Sequence, residues 1–321
     1  MESLLSLTEL WHHLGWPLVR LLLYISIGLL VANFIEALNW TRKIAFIARP
    51  LTRFAHLSPL TGAAFSMAFF SGVTANTMLS EGFAKGEIDK KELILANLFN
   101  SLPTYFLHLP TTFVITAPLI KGAAFVYIGL TLGAALLRTL SISLISHFLL
   151  PQQDEEVATE EYTQQGKNDL QSAWERTWKR FQRRIRKIIR FTVPIYILFY
   201  ILTRMGMFAH LQEFMAAHLS FLSWLSPQAM SIVALHVAAE FTAGLAAAGA
   251  LLADGSMGQR EVILALLVGN ILSSPVRAFR HQFPYYAGIF KPALALQLIA
   301  FSQIFRLFSI VCVTMLYYFL G

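Results

Sequence analysis

Residues 93–120 read LILANLFNSLPTYFLHLPTTFVITAPLI and contain no Asp, Glu, Lys or Arg. Residues 214–239 also lack these four residue types, and residues 16–37 hold one charge near each end, Arg20 and Glu36. A helix needs about 20 apolar residues to cross the hydrocarbon core of a bilayer, so all three stretches are long enough. They predict a helical membrane protein.

The composition of the whole chain agrees with this prediction. The 321 residues are 56% hydrophobic and 13% charged, whereas about a quarter of the residues of an ordinary globular protein are charged. The net charge of +7 lies mostly beside hydrophobic segments, so we expect a lipid bilayer and no nucleic acid as partner. The single cysteine, Cys312, excludes an intramolecular disulfide and a cysteine-based metal cluster.

A polar linker divides the chain. The stretch from Pro151 to about Gln171 is rich in Asp, Glu and Gln, which is typical of an exposed linker. Trp174–Arg190 then combine a dense run of Lys and Arg with apolar residues at helical spacing, which predicts a basic amphipathic helix on the cytoplasmic membrane surface. We therefore expect a first membrane repeat at 1–150, a cytoplasmic linker and basic helix at 151–190, and a second membrane repeat at 191–321.

The two membrane segments resemble each other, which indicates an internal duplication. Matching motifs occur in the same order in both halves, at offsets of 168 to 172 residues, with a small insertion in the second asparagine motif. The matches are Leu57–Pro59 with Leu225–Pro227, Lys91–Ala96 with Arg260–Ala265, Asn100–Pro103 with Asn270–Pro275, and Arg138, Ser141 and Ile142 with Arg306, Ser309 and Ile310.

Basic residues occupy opposite loops in the two halves. The loop after the first span is basic in the first half, whereas its counterpart at 206–225 has no Lys or Arg. The loop after the second-half asparagine motif is basic, whereas its counterpart at 104–121 holds only Lys121. The positive-inside rule then predicts two copies in opposite orientation, a plan that recurs in transporters. The basic sets are Arg42, Lys43, Arg49 and Arg53 in the first half, and Arg277, Arg280, His281 and Lys291 in the second.

Each half then supplies three crossings and one re-entrant hairpin, with the N-terminus outside. The predicted fold class is an all-α membrane protein of two inverted repeats of transmembrane helices, with re-entrant or discontinuous helices. In the first half we expect spans at 16–37, 59–80 and 119–148, and a hairpin at 90–118 broken at Asn100–Pro103. In the second half we expect spans at 191–206, 228–252 and 291–320, and a hairpin at 258–290.

Polar residues inside the apolar segments are candidates for a binding site, because a polar group in hydrocarbon is costly unless it is paired or hydrated. A proline inside a helix frees backbone groups, so two such breaks facing each other would create a polar site. The alternative is a pair of kinked helices that are hydrogen-bonded to their neighbours. The residues expected to bind the solute are Asn76, Asn100, Ser101, Glu240, Asn270 and Ser274.

His236 and Glu240 are spaced to share one helix face, and both can titrate. We expect them to act in proton or cation coupling, with His236 as proton carrier; the alternative is a polar pair that holds helices together. Arg138 and Arg306 could bind an anionic part of the substrate, although such arginines more often tie helix ends together or extend to the interface. No second His stands at zinc-ligand spacing, and the sequence leaves the identity of any metal unknown.

Motifs of nucleotide-driven or covalent chemistry are absent from the sequence. It has no GxxxxGK[ST], no GxGxxG after a strand, no GxSxG and no CxxC. We therefore expect no enzyme activity and no cofactor, with coupling to an ion gradient or to a partner protein.

Two sets of motifs resemble the nucleoside-recognition or Gate domain family, which includes the membrane domain of the ferrous-iron transporter FeoB, concentrative nucleoside transporters and the spore-maturation A/B proteins. The resemblance implies a helical fold with paired re-entrant elements, often in a homo-oligomer. It covers most of the chain. The motifs are Phe70–Asn76, Lys90–Leu93 and Asn100–Tyr105 in the first copy, and Glu240–Gly249, Gln259–Glu261 and Asn270–Pro275 in the second.

The function expected from these patterns is a permease for a small polar solute, nucleoside-like in one reading, that works by ion-coupled alternating access. We place it as a multi-pass protein in the bacterial cytoplasmic (inner) membrane. One alternative is a non-transporting membrane scaffold of the spore-maturation type. A second is a divalent metal cation transporter, which is disfavoured because Val73 replaces the cysteine of the iron transporters and their GTPase is missing.

Overall fold

The computed structural model describes residues 7–37, 48–152, 170–218, 225–239 and 241–320. Within these ranges every regular element is a helix, which confirms the all-α prediction. Four helices are long and apolar enough to cross a membrane, as the composition predicted. They are Thr8–Val31, Ala123–Leu149, Gln259–Phe290 and Pro292–Leu320.

The described helices divide between the two sequence halves. The first half contains α1 (Leu7–Leu10), a π-helical turn (Trp11–Gly15), α2 (Trp16–Ala37), α3 (Arg49–Phe54), α4 (Pro59–Ala68), α5 (Gly72–Lys85), α6 (Lys90–Phe99), α7 (Ser101–Ile120) and α8 (Ala123–Leu149). The second half contains α9 (Leu170–Arg204), α10 (Met207–Ala217), α11 (Pro227–Ala238), α12 (Phe241–Ala253), α13 (Gln259–Arg277), a π-helical turn (Ala278–Gln282), α14 (Phe283–Phe290) and α15 (Pro292–Leu320).

Two pairs of short helices fold back as antiparallel hairpins. A Cβ atom on Gly82, near the end of α5, would overlap the side chain of Leu60 at the start of α4. In the second pair, a Cβ atom on Gly244 of α12 would lie 2.6 Å from the Cβ of His236 in α11. The arms are 10, 14, 12 and 13 residues long, or about 15–21 Å, which is less than the ~30 Å hydrocarbon core. The predicted single spans at 59–80 and 228–252 are therefore wrong.

Both hairpins begin and end with the same local chemistry. The hydroxyl oxygens of Ser58 and Ser226 each accept a hydrogen bond of 3.3 Å, from the N–H groups of Thr61 and Ala229. A proline follows each serine at the first helical position, where its missing N–H costs nothing. After the hairpins, Gly86 and Gly255 adopt φ values of 79° and 77°. Matching helix ends at nearly constant offset agree with an internal duplication.

The predicted hairpin at 90–118 is also wrong, because α6 and α7 form one kinked helix. Helical hydrogen bonds continue across the kink, from Asn100 N–H to the Ala96 carbonyl at 3.2 Å and from Thr104 N–H to the Asn100 carbonyl at 3.1 Å. Pro103 removes the N–H that would otherwise bond to the Phe99 carbonyl. The chain bends here without reversing.

The second predicted hairpin, at 258–290, is a continuous helical run as well. Pro275 lies inside α13, and the helix goes on through the π-helical turn into α14. A proline removes one helical hydrogen bond, and a local widening to π geometry absorbs the disturbance. The break expected at Asn270–Pro275 is thus a distortion that begins at Ala278.

The predicted basic surface helix and the span after it are one helix, α9, of 35 residues. Its apolar side packs on protein: the ring of Trp174 lies 6.2 Å from that of Phe34 on α2. Phe181 and Ile185 pack against the core that contains Ile25 and Leu29. Part of the apolar side of α9 is therefore a helix-packing face, whereas Trp174 and Trp178 are exposed, and the membrane-surface role stays a prediction.

The described residues form two compact units, each with helices from both sequence halves. Unit 1 lies within Met1–Leu107, Thr139–Tyr200 and Pro284–Leu298, and unit 2 lies within His108–Arg138, Ile201–Phe283 and Ile299–Gly321. Unit 1 has an apolar core in which α2 and the first hairpin meet α14. Unit 2 has a core in which the second hairpin and α13 meet the first part of α8.

Candidate solute-binding site

In unit 1, two asparagines meet two tyrosines in what we call the asparagine–tyrosine cluster: Asn76 on α5, Asn97 on α6, and Tyr285 and Tyr286 on α14. The Asn97 Nδ2 donates to the Asn76 Oδ1 at 3.0 Å and to the Tyr286 hydroxyl at 3.3 Å. The Asn76 Nδ2 donates to the Tyr285 hydroxyl at 3.1 Å. The cluster consists of neutral donors and acceptors, and it joins the hairpin to helices from both halves.

Asn100 directly follows α6, the helix that carries Asn97 of this cluster. Its side-chain amide has unused hydrogen-bonding groups. Its side chain is 5% exposed, and neither its Nδ2 nor its Oδ1 has a partner among the described residues. The neighbouring Ser101 is occupied, since its hydroxyl donates to the Leu98 carbonyl at 2.5 Å. A buried primary amide offers two donors and one acceptor oxygen. Asn100 is therefore the predicted site residue with the most hydrogen-bonding groups available to a solute.

The kink that positions Asn100 is stabilised by Thr139 of α8. The Thr139 hydroxyl donates to the Phe99 carbonyl at 3.2 Å and accepts from the Leu102 N–H at 3.1 Å. It thereby satisfies the backbone groups that Pro103 and the bend leave without helical partners. The interruption is held in a defined shape inside the apolar unit.

In unit 2, Asn270 on α13 is the centre of a second polar group, the asparagine–arginine cluster. Its Oδ1 accepts from Arg277 at 3.0 Å and from Arg306 at 3.4 Å, and its Nδ2 donates to the Tyr127 hydroxyl at 3.3 Å. One turn further along α13, the Ser274 hydroxyl donates to Gln303 Oε1 at 2.7 Å. Asn270 and Ser274 therefore contact protein groups that a solute would have to replace or join.

His236 is fully buried near the end of α11, in unit 2. A Cβ on Gly269 would lie 2.5 Å from its Nδ1, so the ring fits only because α12 and α13 present glycines to it. Neither ring nitrogen has a hydrogen-bond partner in the part of the chain that is described. The helix α11 ends at Ala238. Glu240, the other member of the predicted pair, lies outside the described residues, so the pairing of His236 with Glu240 stays a prediction.

The chemistry available to these clusters is recognition by hydrogen bonds and charge. The asparagine–tyrosine cluster offers amides and phenols, and the asparagine–arginine cluster adds guanidinium groups. In the described ranges no group of three or more His, Cys, Asp or Glu side chains could hold a metal ion.

Sequence reasoning missed the residues that complete the clusters. Tyr127, Tyr285 and Tyr286 lie in aromatic-rich segments, where a tyrosine reads as an interface anchor. Gln303 and Thr139 are polar residues in long apolar helices, and their polarity is the one signal that could have drawn attention to them.

Comparison with known proteins finds relatives over nearly the whole chain, all from the archaeon Methanocaldococcus jannaschii. "Uncharacterized protein MJ1556" is 28% identical, with 85% of this chain and 86% of its own length covered. "Uncharacterized protein MJ0871" is 24% identical over 88% and 87%, and "Uncharacterized protein MJ0880" is 21% identical over 85% and 88%. No protein-family model and no solved structure matches the chain. Because these relatives are archaeal, the expectation of a bacterial inner membrane stays a prediction.

Proposed function

We propose that this protein is a membrane permease, not an enzyme, that moves a small polar solute, nucleosides among the candidates, by ion-coupled alternating access. The observation that carries the proposal is the buried Asn100 amide without a protein partner at the helix kink. An unsatisfied buried polar group costs about 1–3 kcal/mol. A bound solute that hydrogen-bonds to this amide would remove the cost, which is why we take Asn100 as a solute-binding residue.

The two short hairpins support the same proposal. Arms of 10 to 14 residues are too short to cross, so α4–α5 and α11–α12 would enter the membrane and return on the side of entry. Non-helical backbone at that depth persists where it lines protein or a water-filled cavity. The turns near Ser71 and Ala239 would then carry polar backbone to the solute path.

The charges allow an inverted-repeat topology around these hairpins. With the N-terminus outside, α2, α6–α7 and α8 cross in the first half, and α9, α13–α14 and α15 cross in the second. Three crossings per half is an odd number, as inversion requires. The first hairpin would then return to the cytoplasm beside Lys85, Lys90 and Lys91, and the basic start of α9 would also lie there. Only scattered basic residues would face outside, in agreement with the positive-inside rule; they are Lys121, Arg204 and Arg260.

Coupling would involve His236, a buried imidazole whose ring nitrogens have no partner among the described residues, together with Glu240. The resemblance to Gate domain proteins adds a homo-oligomer as the assembly in which the permease would work.

Uptake by the purified protein in proteoliposomes tests the proposal. We expect accumulation of at least one solute from a panel of uridine, adenosine, succinate and inorganic phosphate under an inward proton gradient, with loss of accumulation when a protonophore is added. Protein-free liposomes are the control. If no member of the panel enters, and if deleting 151–169 in cells has a larger effect than Asn100→Ala, the scaffold alternative replaces the permease.

A further inference from the structure

We propose that unit 2 binds an oxyanion, a carboxylate or phosphate group, between Arg138 of α8 and Arg306 of α15. The inference rests on the proposed permease in one respect: it names the charged group of the solute that the protein would carry. The binding itself can be tested without transport.

The first observation is a concentration of positive charge inside the apolar helices. Arg277 and Arg306 both donate to the Oδ1 of Asn270, at 3.0 and 3.4 Å, so two guanidinium groups meet at one oxygen. Arg306 also lies within electrostatic range of Arg138. Both Arg138 and Arg306 lie near the middle of long apolar helices. A charged side chain at such a depth is costly unless it is paired or hydrated.

The second observation is that protein partners use only part of the guanidinium groups. The Nε atoms of Arg138 and Arg306 are buried and have no hydrogen-bond partner among the described residues. The partner observed for Arg306 is the neutral Oδ1 of Asn270, at 3.4 Å. An amide oxygen does not neutralise a guanidinium ion, so the charge of this group calls for an anion.

Unit 2 supplies no buried carboxylate within the described ranges. Its described acidic residues, Glu213, Asp254 and Glu261, are all exposed. The buried carboxylates of the described chain, Glu81 and Glu92, belong to unit 1. Glu240 lies outside the described residues, and it is a second source of negative charge that the experiment must separate from a bound anion.

The third observation is that the donors suit an oxyanion. A guanidinium presents a planar fork that matches carboxylate and phosphate, and Arg138 and Arg306 are equivalent residues of the two halves. On α13, Asn270, Ser273, Ser274 and Arg277 recur at helical spacing and share a face. The Ser273 hydroxyl is 3% exposed and also lacks a partner in the described chain.

Thermal unfolding and calorimetric titration of the full-length protein in phosphatidylcholine nanodiscs test the site, with succinate and inorganic phosphate as probes and chloride at equal ionic strength as reference. We expect one of the two oxyanions to stabilise the protein where chloride does not. Arg138→Gln and Arg306→Gln should each weaken binding about 10- to 100-fold. Arg306→Lys, which keeps the charge and loses the fork, should weaken it less.

Arg260→Gln is the matched control, because it removes the same charge from an exposed position of unit 2. It should leave binding unchanged. The proposal is overturned if neither oxyanion binds more strongly than chloride, or if the two Gln variants fold and still bind as the wild type does. Glu240→Gln should strengthen binding if Glu240 competes with the anion.

If the protein is stabilised only in nanodiscs that contain phosphatidylglycerol, the site binds a lipid phosphate. That result would overturn the proposal of a soluble oxyanion. Flux measurements separate this inference from the permease. Oxyanion binding without uptake supports the oxyanion site and contradicts the permease. Uptake of uridine without oxyanion binding supports the permease and contradicts the oxyanion site.

Discussion

The Thr139 hydroxyl donates to the Phe99 carbonyl at 3.2 Å, linking α8 to the last residue of α6. The same oxygen accepts from the Leu102 N–H at 3.1 Å. One side chain thus satisfies a backbone acceptor and a backbone donor on either side of the kink. This pairing keeps the Asn100 amide in a fixed position without using its hydrogen-bonding groups.

Replacing Thr139 should destabilise the protein. Thr139→Val keeps the shape and leaves two buried backbone groups without a partner, so we expect a loss of about 1–3 kcal/mol and a lower midpoint of thermal unfolding. Thr139→Ser should retain most of the stability. Thr314→Val is the control, because the Thr314 hydroxyl is also buried and bonds to the Ile310 carbonyl of its own helix. Equal midpoints for Thr139→Val and Thr314→Val would show that the kink needs no support from α8.

Gly269 should tolerate no side chain. A Cβ there would lie 2.5 Å from Nδ1 and 2.8 Å from Cγ of His236, and overpacking of this kind costs about 1–3 kcal/mol. We expect Gly269→Ala to lower the unfolding midpoint measured by tryptophan fluorescence.

Gly133→Ala is the matched control for this substitution. A Cβ on Gly133 would meet no atom within 4 Å in the described structure, so alanine should be neutral or stabilising by about 0.5–1 kcal/mol because it favours the helix. A Gly269→Ala variant as stable as Gly133→Ala would mean that His236 is not held as described.

The two hairpins should open to opposite sides of the membrane. In a Cys312→Ser background, Glu87→Cys and Ser256→Cys place single thiols at exposed, equivalent positions after each hairpin. In intact cells, a membrane-impermeant maleimide should label Ser256→Cys and leave Glu87→Cys unlabelled, and inside-out vesicles should give the reverse. Labelling of both thiols from one side would refute the inverted repeat.

Much of the helical framework could be predicted from the sequence. The expected first span, 16–37, coincides with α2, because a mostly apolar stretch of this length with one charge near each end leaves few alternatives in a membrane. The repeated Ser-Pro pairs at Ser58 and Ser226 mark helix starts in both halves, since a serine cap followed by proline is a strong local signal.

The kink at Asn100 could not be predicted, because a residue of another helix decides its shape. Pro103 predicts a helix end. In the structure Thr139, from another helix, bonds to the backbone groups that the proline leaves without helical partners, and the helix continues. The real turn before α5 had a local signal in Ser71-Gly72, where Ser71 caps the helix by accepting from Thr74 N–H at 3.1 Å. The turn before Phe241 has no comparable signal in the described residues.

The sequence predicted that asparagines in apolar segments form the candidate site, but it did not predict which residues contact them. Asparagines in apolar segments do mark the polar clusters, because an amide at that depth needs partners. Their tyrosine partners lie 209 and 143 residues away from Asn76 and Asn270, and no local pattern connects them. Which amide is unpartnered, Asn100 rather than Asn76 or Asn270, depends on those distant contacts.

The most direct test of the permease measures uptake and stability of Asn100→Ala side by side. We predict that wild-type proteoliposomes accumulate uridine, succinate or phosphate, and that Asn100→Ala lowers this uptake about tenfold while the unfolding midpoint stays unchanged or rises. Unchanged uptake by a well-folded Asn100→Ala variant would contradict the account.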